Sequence, residues 1–426
     1  MMPIARLTLH SIANRRLSVI LTVVAVALSV AMLLGVERLR NDAREGFAQT
    51  ISGTDLVVGA RGGPVQLLLY AVFHIGSATN NVSSASLQKI AALPQVAWLV
   101  PVSLGDSHRG HRVVGTTAGF FEHYRHGDRR QLRFADGRPF GETLDTVFEA
   151  VVGAEVAARF GYKIGQSIVL SHGAGLDGTS FADHADKPFR IVGILARSGT
   201  PVDRALLVSL EGLEAIHVDW QGGAPIPGLS IAPEHVRKFD LSPKSVTAAL
   251  VGLKSRVAVF GTQRRINTFA DEPLTAILPG ATLQELWNLV SIAERALLAV
   301  SGLVVVVGLA GLVAVVVTSL GERRRELAIL RALGASPAQV FALLALESLA
   351  LAAAGIAIGL ALVYGATAFA APWLQAEFGV VTRARLPSAT EWMLLGGVLG
   401  ASLLASLVPA LRAYRYSLAD GMTIRI

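Results

Sequence analysis

The sequence predicts an α-helical membrane protein with four transmembrane helices plus a large α+β extracytoplasmic domain between helices 1 and 2. Three observations predict it. Charged residues make up only 16% of the 426 residues, against about 25% in an ordinary soluble domain. Mean hydropathy is +0.52, and most of the charges fall between residues 37 and 290. Near the two ends lie four apolar runs, each close to the ~20 residues that a helix needs to cross a bilayer core. The chain has no cysteine, which excludes disulfides, thiol catalysis and thiolate metal ligands. The large insert must therefore be held by its apolar core, for which its length is ample.

Residues 1–16 form a basic, amphipathic N-terminal segment, with Arg6, Arg15 and Arg16 and no acid. The first span, 17–36, carries no charge and is bounded by Arg15–Arg16 and Glu37–Arg38. A cleaved signal peptide is the rival reading, with Ser29-Val30-Ala31 as its cleavage site. Signal cores run to about 7–15 apolar residues; this run continues to Val36, so a retained helix is expected. The second span is 296–320, the third 337–371 and the fourth 392–411, the last entered through the interfacial Trp392.

Orientation follows from the short segments. The loop 321–336 holds Arg323, Arg324, Arg325 and Arg331 against Glu322 and Glu326, and the tail 412–426 holds Arg412, Arg415 and Arg425 against Asp420. The extracytoplasmic loop 372–391 is balanced, with Glu377 and Glu391 against Arg383 and Arg385. The positive-inside rule then places both termini and the 321–336 loop in the cytoplasm and the 37–290 segment outside, which in a Gram-negative-type cell is the periplasm. Because the arginines sit beside apolar runs, the net charge of +7 is a topology signal, and nucleic-acid binding is not expected.

Within the spans, Glu347 is the polar exception. An intramembrane carboxylate is a functional candidate; it also suits a bond to a neighbouring helix near the cytoplasmic interface. A carrier of ions or hydrophilic solutes needs several such groups, so their scarcity argues against a secondary transporter. Small residues recur at Gly355 and Gly359 and at Gly396 and Gly400. Such faces allow close helix approach, within the subunit or at a dimer interface.

The extracytoplasmic segment 37–290 begins with a helix continuing the first span to Thr50. Strand-like runs follow at Asp55–Val58, Val96–Val102, Arg112–Thr116, Phe148–Val152, Ser167–Leu170, Phe189–Leu195 and Ala205–Ser209. Helical runs fit Ala85–Leu93, Ala154–Phe160 and Ser242–Phe260, and a long helix from about Thr282 leads back to the membrane. Mixed strands and helices read as an α+β domain, with an inserted subdomain at about 105–225. Nine of the ten histidines lie here. His108 with His111 and His123 with His126 are paired, while His172, Asp183, His184 and Asp186 are the candidate metal ligands. Imidazole beside carboxylate is the chemistry of a zinc-type site; histidines on a basic polar surface are the alternative. No Gly-x-Ser-x-Gly elbow, His-Glu-x-x-His helix or phosphate-binding loop occurs, so the chain is expected to be non-enzymatic by itself.

The most informative stretch is Gly321-Glu322-Arg323-Arg324-Arg325-Glu326-Leu327-Ala328-Ile329-Leu330-Arg331-Ala332-Leu333-Gly334-Ala335-Ser336-Pro337. It reads as a short amphipathic helix with Ile329, Leu330 and Leu333 on one patch, stopped by Gly334. Ser336 then caps the next helix, with Pro337 in its first turn. This stretch resembles the signature of the FtsX-like permease family, which includes MacB-type exporters and lipoprotein-release permeases. Pro409-Ala410-Leu411-Arg412 at the end of the fourth span, Glu347, and the order of one span, a large domain and three spans extend the resemblance over most of the chain.

The resemblance implies a MacB-core-like periplasmic domain and a coupling helix at 321–336 that docks on an ATPase. No fused ATPase is present in these residues, so the ATPase dimer, with its ATP and Mg, is expected as a separate subunit. Two ATPases imply two permease copies, as a homodimer or with a related chain. The expected function is export or extraction of a lipoprotein, peptide or small hydrophobic molecule, aided by a periplasmic adaptor or substrate-handling protein. The alternatives are a non-transporting mechanotransmission regulator of a partner such as a cell-wall hydrolase, and a zinc-linked transporter or sensor.

Overall fold

A computed structural model of the chain describes residues 16–173, 182–221, 224–322, 329, 332–378 and 385–415. It divides into two units, one built on Ala43–Val290 and one on the residues up to Asp42, Ser291–Leu374 and the residues from Thr382.

In the first unit, twelve strands among the described residues join one sheet. In chain order they are β1 (Leu56–Ala60), β2 (Val96–His108), β3 (His111–Thr116), β4 (Phe134–Gly137), β5 (Glu149–Val152) and β6 (Ser167–Ile168). There follow β7 (Ser171–His172), β8 (Ala182–Asp183), β9 (Phe189–Leu195), β10 (Ala205–Ser209), β11 (Ala248–Leu253) and β12 (Leu274–Ile277). The main path runs β12-β1-β11-β2-β3-β10-β5-β9-β4. Neighbours along it are antiparallel except β3 with β10 and β5 with β9. A parallel pair needs a crossover, and a helix at Ala154–Phe160 lies on the one from β5 to β9.

The longer helices are α1 (Arg16–Thr50), α2 (Pro64–Phe73), α3 (Ser84–Ala91), α4 (Ala154–Phe160) and α5 (Leu210–His217). After them come α6 (Val259–Asn267), α7 (Pro279–Glu322), α8 (Pro337–Phe378) and α9 (Ala389–Arg415). Local chemistry sets their ends. Ser83 Oγ accepts the Ser86 N–H at 3.2 Å to start α3, and Ser209 Oγ accepts the Gly212 N–H at 3.0 Å to start α5. α2 begins with Pro64 at its first position, where the missing N–H is harmless. α4 stops at Gly161, whose φ of +66° costs a glycine little.

The central strands of the sheet bury both faces. Every residue of β10 is buried, as are Val57 and Val58, Val113 and Val114, and Val151 and Val152. Fully covering such a side chain stabilises the fold by roughly 1.5–3 kcal/mol. This two-sided burial corrects one expectation. The run Ser242–Phe260, read as a helix, is strand β11 followed by the start of α6. Ala248 to Val251 pair with both β1 and β2 and are buried throughout. A short continuous apolar run carries no periodicity that separates a central strand from a buried helix. Helix α2 went unpredicted for the same reason.

Among the described residues, four helices are long and apolar enough to cross a membrane: Leu17–Thr50, Pro279–Thr318, Ala338–Ala371 and Ala389–Leu407. Val26, Val30 and Leu34 of α1, Leu312 and Val316 of α7, Leu344 and Ile356 of α8, and Leu395 and Val398 of α9 share one apolar cluster. Most buried hydroxyls of the second unit bond a carbonyl of their own helix, including Thr22 to Ser18 O and Ser301 to Leu297 O, both at 2.9 Å. α8 reaches Phe378 and α9 begins at Ala389, so the 372–391 segment expected as a loop is helical at both margins.

Candidate functional site

Between α7 and α8, the expected coupling residues Arg323, Arg324, Arg325, Glu326, Leu330 and Arg331 lie outside the described residues, and Glu322 is the last residue of α7. Ile329 and Leu333 are 59% and 81% exposed. Gly334 has φ +98°, the left-handed conformation of a helix stop. Ser336 Oγ accepts the Gln339 N–H at 3.3 Å while Gln339 Oε1 accepts the Ser336 N–H at 2.8 Å, a reciprocal cap that opens α8.

Within the helical unit, the structure separates the four glycines. A Cβ on Gly355 would lie 2.6 Å from Val26 Cγ1, and one on Gly359 would lie 2.8 Å from Ala27 O, so both glycines face α1. Gly396 and Gly400 meet nothing within 4 Å. Glu347 is buried, at 4% exposure. Sequence reasoning missed a second buried carboxylate, Glu391. Its two oxygens take Arg38 Nε at 3.2 Å and Arg38 Nη2 at 3.3 Å, with the two side chains 0% and 4% exposed. The Arg38 guanidinium also stacks 4.4 Å from the centre of the Tyr364 ring, so one charge pair ties α1, α8 and α9. Their chain separation hides it from any local motif.

The histidines of the α+β unit sort into structural ones and a cluster. His108 and His111 face each other across the β2–β3 hairpin. His108 is satisfied at both ring nitrogens, by Val169 O and the Tyr162 hydroxyl, each at 2.6 Å, and His111 Nδ1 bonds Arg204 O at 3.2 Å. His123 stacks on Trp98, with ring centres 4.9 Å apart.

His172 and His184 belong to a different grouping from the one expected. They converge with Asp106 and His217, and one ligand atom from each lies within 4.8 Å of all the others. Asp183 instead accepts the Ser171 hydroxyl at 2.7 Å, and Asp186 pairs with Lys187 at 2.7 Å. The reason is strand geometry. The β2–β3 register shifts between Leu104 and Ser107, so Gly105 and Asp106 form a bulge. A bulge re-aims side chains, and Asp106 stands directly across from His172 in the β2–β7 pairing. His217 is the last residue of α5, and His184 follows β8.

The contacts are short. His172 Nδ1 lies 3.2 Å from both Asp106 Oδ1 and His217 Nε2, and His217 Nε2 lies 3.7 Å from Asp106 Oδ1. His217 Nδ1 is 2.8 Å from Leu213 O, which makes it the protonated nitrogen and leaves Nε2 with a free lone pair. His184 is wholly buried, and neither of its ring nitrogens has a hydrogen-bond partner. Its ring lies against Trp220, centres 4.3 Å apart. The hydrogen bond to Asp106 pushes the His172 ring up from its ordinary value despite burial. Burial, then the neighbouring His217, pushes His184 down to about 4. Behind the cluster, the fully buried Lys187 bonds Asp219 Oδ1 at 2.8 Å and Oδ2 at 2.7 Å, pinning the turn after His184 to the segment after His217.

Residues 19–267 match the MacB-like periplasmic core domain, and residues 298–418 match the FtsX-like permease C-terminal region. No curated protein sequence matches. Among solved structures, the periplasmic region of MacB from Actinobacillus actinomycetemcomitans is similar at 12% identity and TM-score 0.33, over 56% of this chain and 95% of that one. The extracellular domain of the noncanonic ABC-type transporter YknZ from Gram-positive bacteria is similar at 11% identity and TM-score 0.31, over 53% of this chain and 99% of that one. The first family match alone spans more than half of the 426 residues, and the second covers the three later apolar helices. The chain belongs to the FtsX/MacB-like family of ABC transporter permeases.

Proposed function

We propose that this permease couples ATP hydrolysis by a separate ATPase dimer to movement of its periplasmic domain, for export or extraction of a substrate at the outer face of the bacterial inner membrane. The substrate class is a lipoprotein, a peptide or a small hydrophobic molecule. The 321–336 segment is the docking handle for the ATPase, and a second permease copy completes the complex.

The observation that carries this reading is the continuity of α1 and α7. At 35 and 44 residues, each runs without a break in the helix from an apolar span into the α+β unit. Neither contains an interior proline, the commonest cause of a sharp kink. In the α+β unit their ends meet. Phe47 of α1 packs on Trp287 of α7, centres 5.5 Å apart, and on Phe73 of α2 at 4.5 Å, while the Arg44 guanidinium lies 5.4 Å from the Trp287 ring centre. A displacement of either helix is thereby delivered to the core of the domain. Hydroxyls that bond their own helices support a mechanical role, because a hydrophilic substrate would need polar groups facing a path.

The test is the double change Arg324→Glu with Arg331→Glu in the permease co-purified with its ATPase. ATP hydrolysis stimulated by the permease should fall about tenfold or more with complex levels otherwise maintained, as expected when charges at a docking surface are reversed. Unchanged stimulation would remove the coupling assignment.

A further inference from the structure

Three ligand-type atoms sit closer together in the periplasmic domain than a metal-free surface requires, and a fourth group is buried with nothing to bond. The distances of 3.2, 3.2 and 3.7 Å among His172 Nδ1, His217 Nε2 and Asp106 Oδ1 match the edge of a tetrahedron. Four ligands at 2.0–2.1 Å from one ion lie about 3.3 Å apart. Without an ion, His172 Nδ1 has a single proton to offer two acceptors, since the lone pair of His217 Nε2 also points at it. The imidazole of His184 is 0% exposed with both nitrogens unpartnered, and buried polar atoms are rarely left so. Coordination supplies a partner for one of them and satisfies the competing lone pairs together.

We propose that this domain binds one divalent transition-metal ion of the zinc type, held by Asp106, His172, His184 and His217. Three imidazoles and one carboxylate suit zinc and its neighbours rather than calcium or magnesium, which take oxygen ligands. The supporting shell is already in place. Leu213 O holds the His217 ring in the tautomer that presents Nε2, which is the usual second contact of a ligating histidine. The Lys187–Asp219 pair fixes the turn that carries His184. His172 and His217 keep 31% and 27% exposure, so the ion has a route in from solvent, while Asp106 and His184 form the buried floor. With all four positions filled by protein, the ion is a clamp and not a hydrolytic centre. It joins the bulge of β2, the paired strands β7 and β8 and the end of α5, three segments remote in sequence. Nothing in this assignment depends on the ATPase or on transport.

The test uses the full chain in detergent, stripped with a chelator, dialysed and titrated with zinc chloride by calorimetry and by competition with a chromophoric chelator. One equivalent should bind with sub-micromolar affinity and raise the apparent Tm. The His172→Ala and His217→Ala variants, both at partly exposed positions, should each lose ~10-fold or more in affinity, and the double variant should lose stoichiometric binding. His235→Ala, outside the cluster, should bind like the parent. Apparent Tm in the absence of metal separates loss of ligation from loss of fold. Cobalt(II) in place of zinc gives a second readout: the strong visible bands of a four-coordinate site, absent from the double variant. No binding at micromolar zinc, or binding unaltered in the double variant, would overturn the assignment and leave a hydrogen-bonded histidine–aspartate network.

Discussion

Lys187 offers the most direct measure of how the domain holds its polar interior. Its side chain is 0% exposed, and its ammonium bonds both oxygens of Asp219, itself 4% exposed, and one oxygen of the 43%-exposed Asp186. Asp219 also accepts the Ile231 N–H at 3.0 Å. Replacing Asp219 by Ala strands a buried cation with only a solvent-screened partner, which costs about 3–5 kcal/mol. Lys187→Met removes the charge and keeps most of the volume. Asp219 then retains one hydrogen bond and loses its counter-ion, at a cost of about 2–4 kcal/mol. The double variant Lys187→Met with Asp219→Ala buries no charge, so it should be less damaged than the two single changes together, with a coupling of about 1–3 kcal/mol. For a domain of this length each kcal/mol shifts Tm by roughly 2–4 °C. Asp219→Ala should therefore fall by about 6–20 °C in a thermal scan of the purified chain followed by tryptophan fluorescence. Strictly additive losses in the double variant would refute the claim that the pair acts as a unit.

Two further outcomes test other parts of the structure. Gly359→Val should weaken the packing of α1 on α8 by about 1–3 kcal/mol, because even the first carbon would meet the Ala27 carbonyl at 2.8 Å; Gly400→Val, which has open space, should not, and equal losses in detergent thermostability would dismiss the distinction. His74 lines an apolar cavity with Ile51, Val72, Phe120 and Tyr124, and burial followed by the charge of Arg112 pushes its ring down to about 4. The native form is then neutral, so its contribution is complete above the ordinary value near 6.5 and is lost as pH falls from there toward 4. The slope is up to ~1.4 kcal/mol per pH unit, an upper bound because the residue keeps some solvent contact. His74→Asn, which tolerates the left-handed backbone at φ +57°, should flatten the stability profile across that window, and an unchanged profile would reassign the slope to other groups.

What could be read from the chain alone was whatever is local. Four apolar runs, the arginines beside them and the pattern from Gly321 to Pro337 are properties of consecutive residues, and they led to the permease family without any coordinates. β10 and α4 were legible in the same way, their expected and observed bounds coinciding at Ala205–Ser209 and Ala154–Phe160. Residues 248–253 were misread because burial on both faces erases the alternation that marks a strand. The two metal-type histidines His172 and His184 were visible, but their partners were not. Asp106 reaches them through a bulge in β2, and His217 arrives from the far end of a helix 45 residues away from His172. Arg38 and Glu391 likewise meet across 353 residues. Hydrophobic length and charge placement are written along one dimension. Which side chains converge on a point depends on register, bulges and helix packing, and those are decided only when the chain has folded.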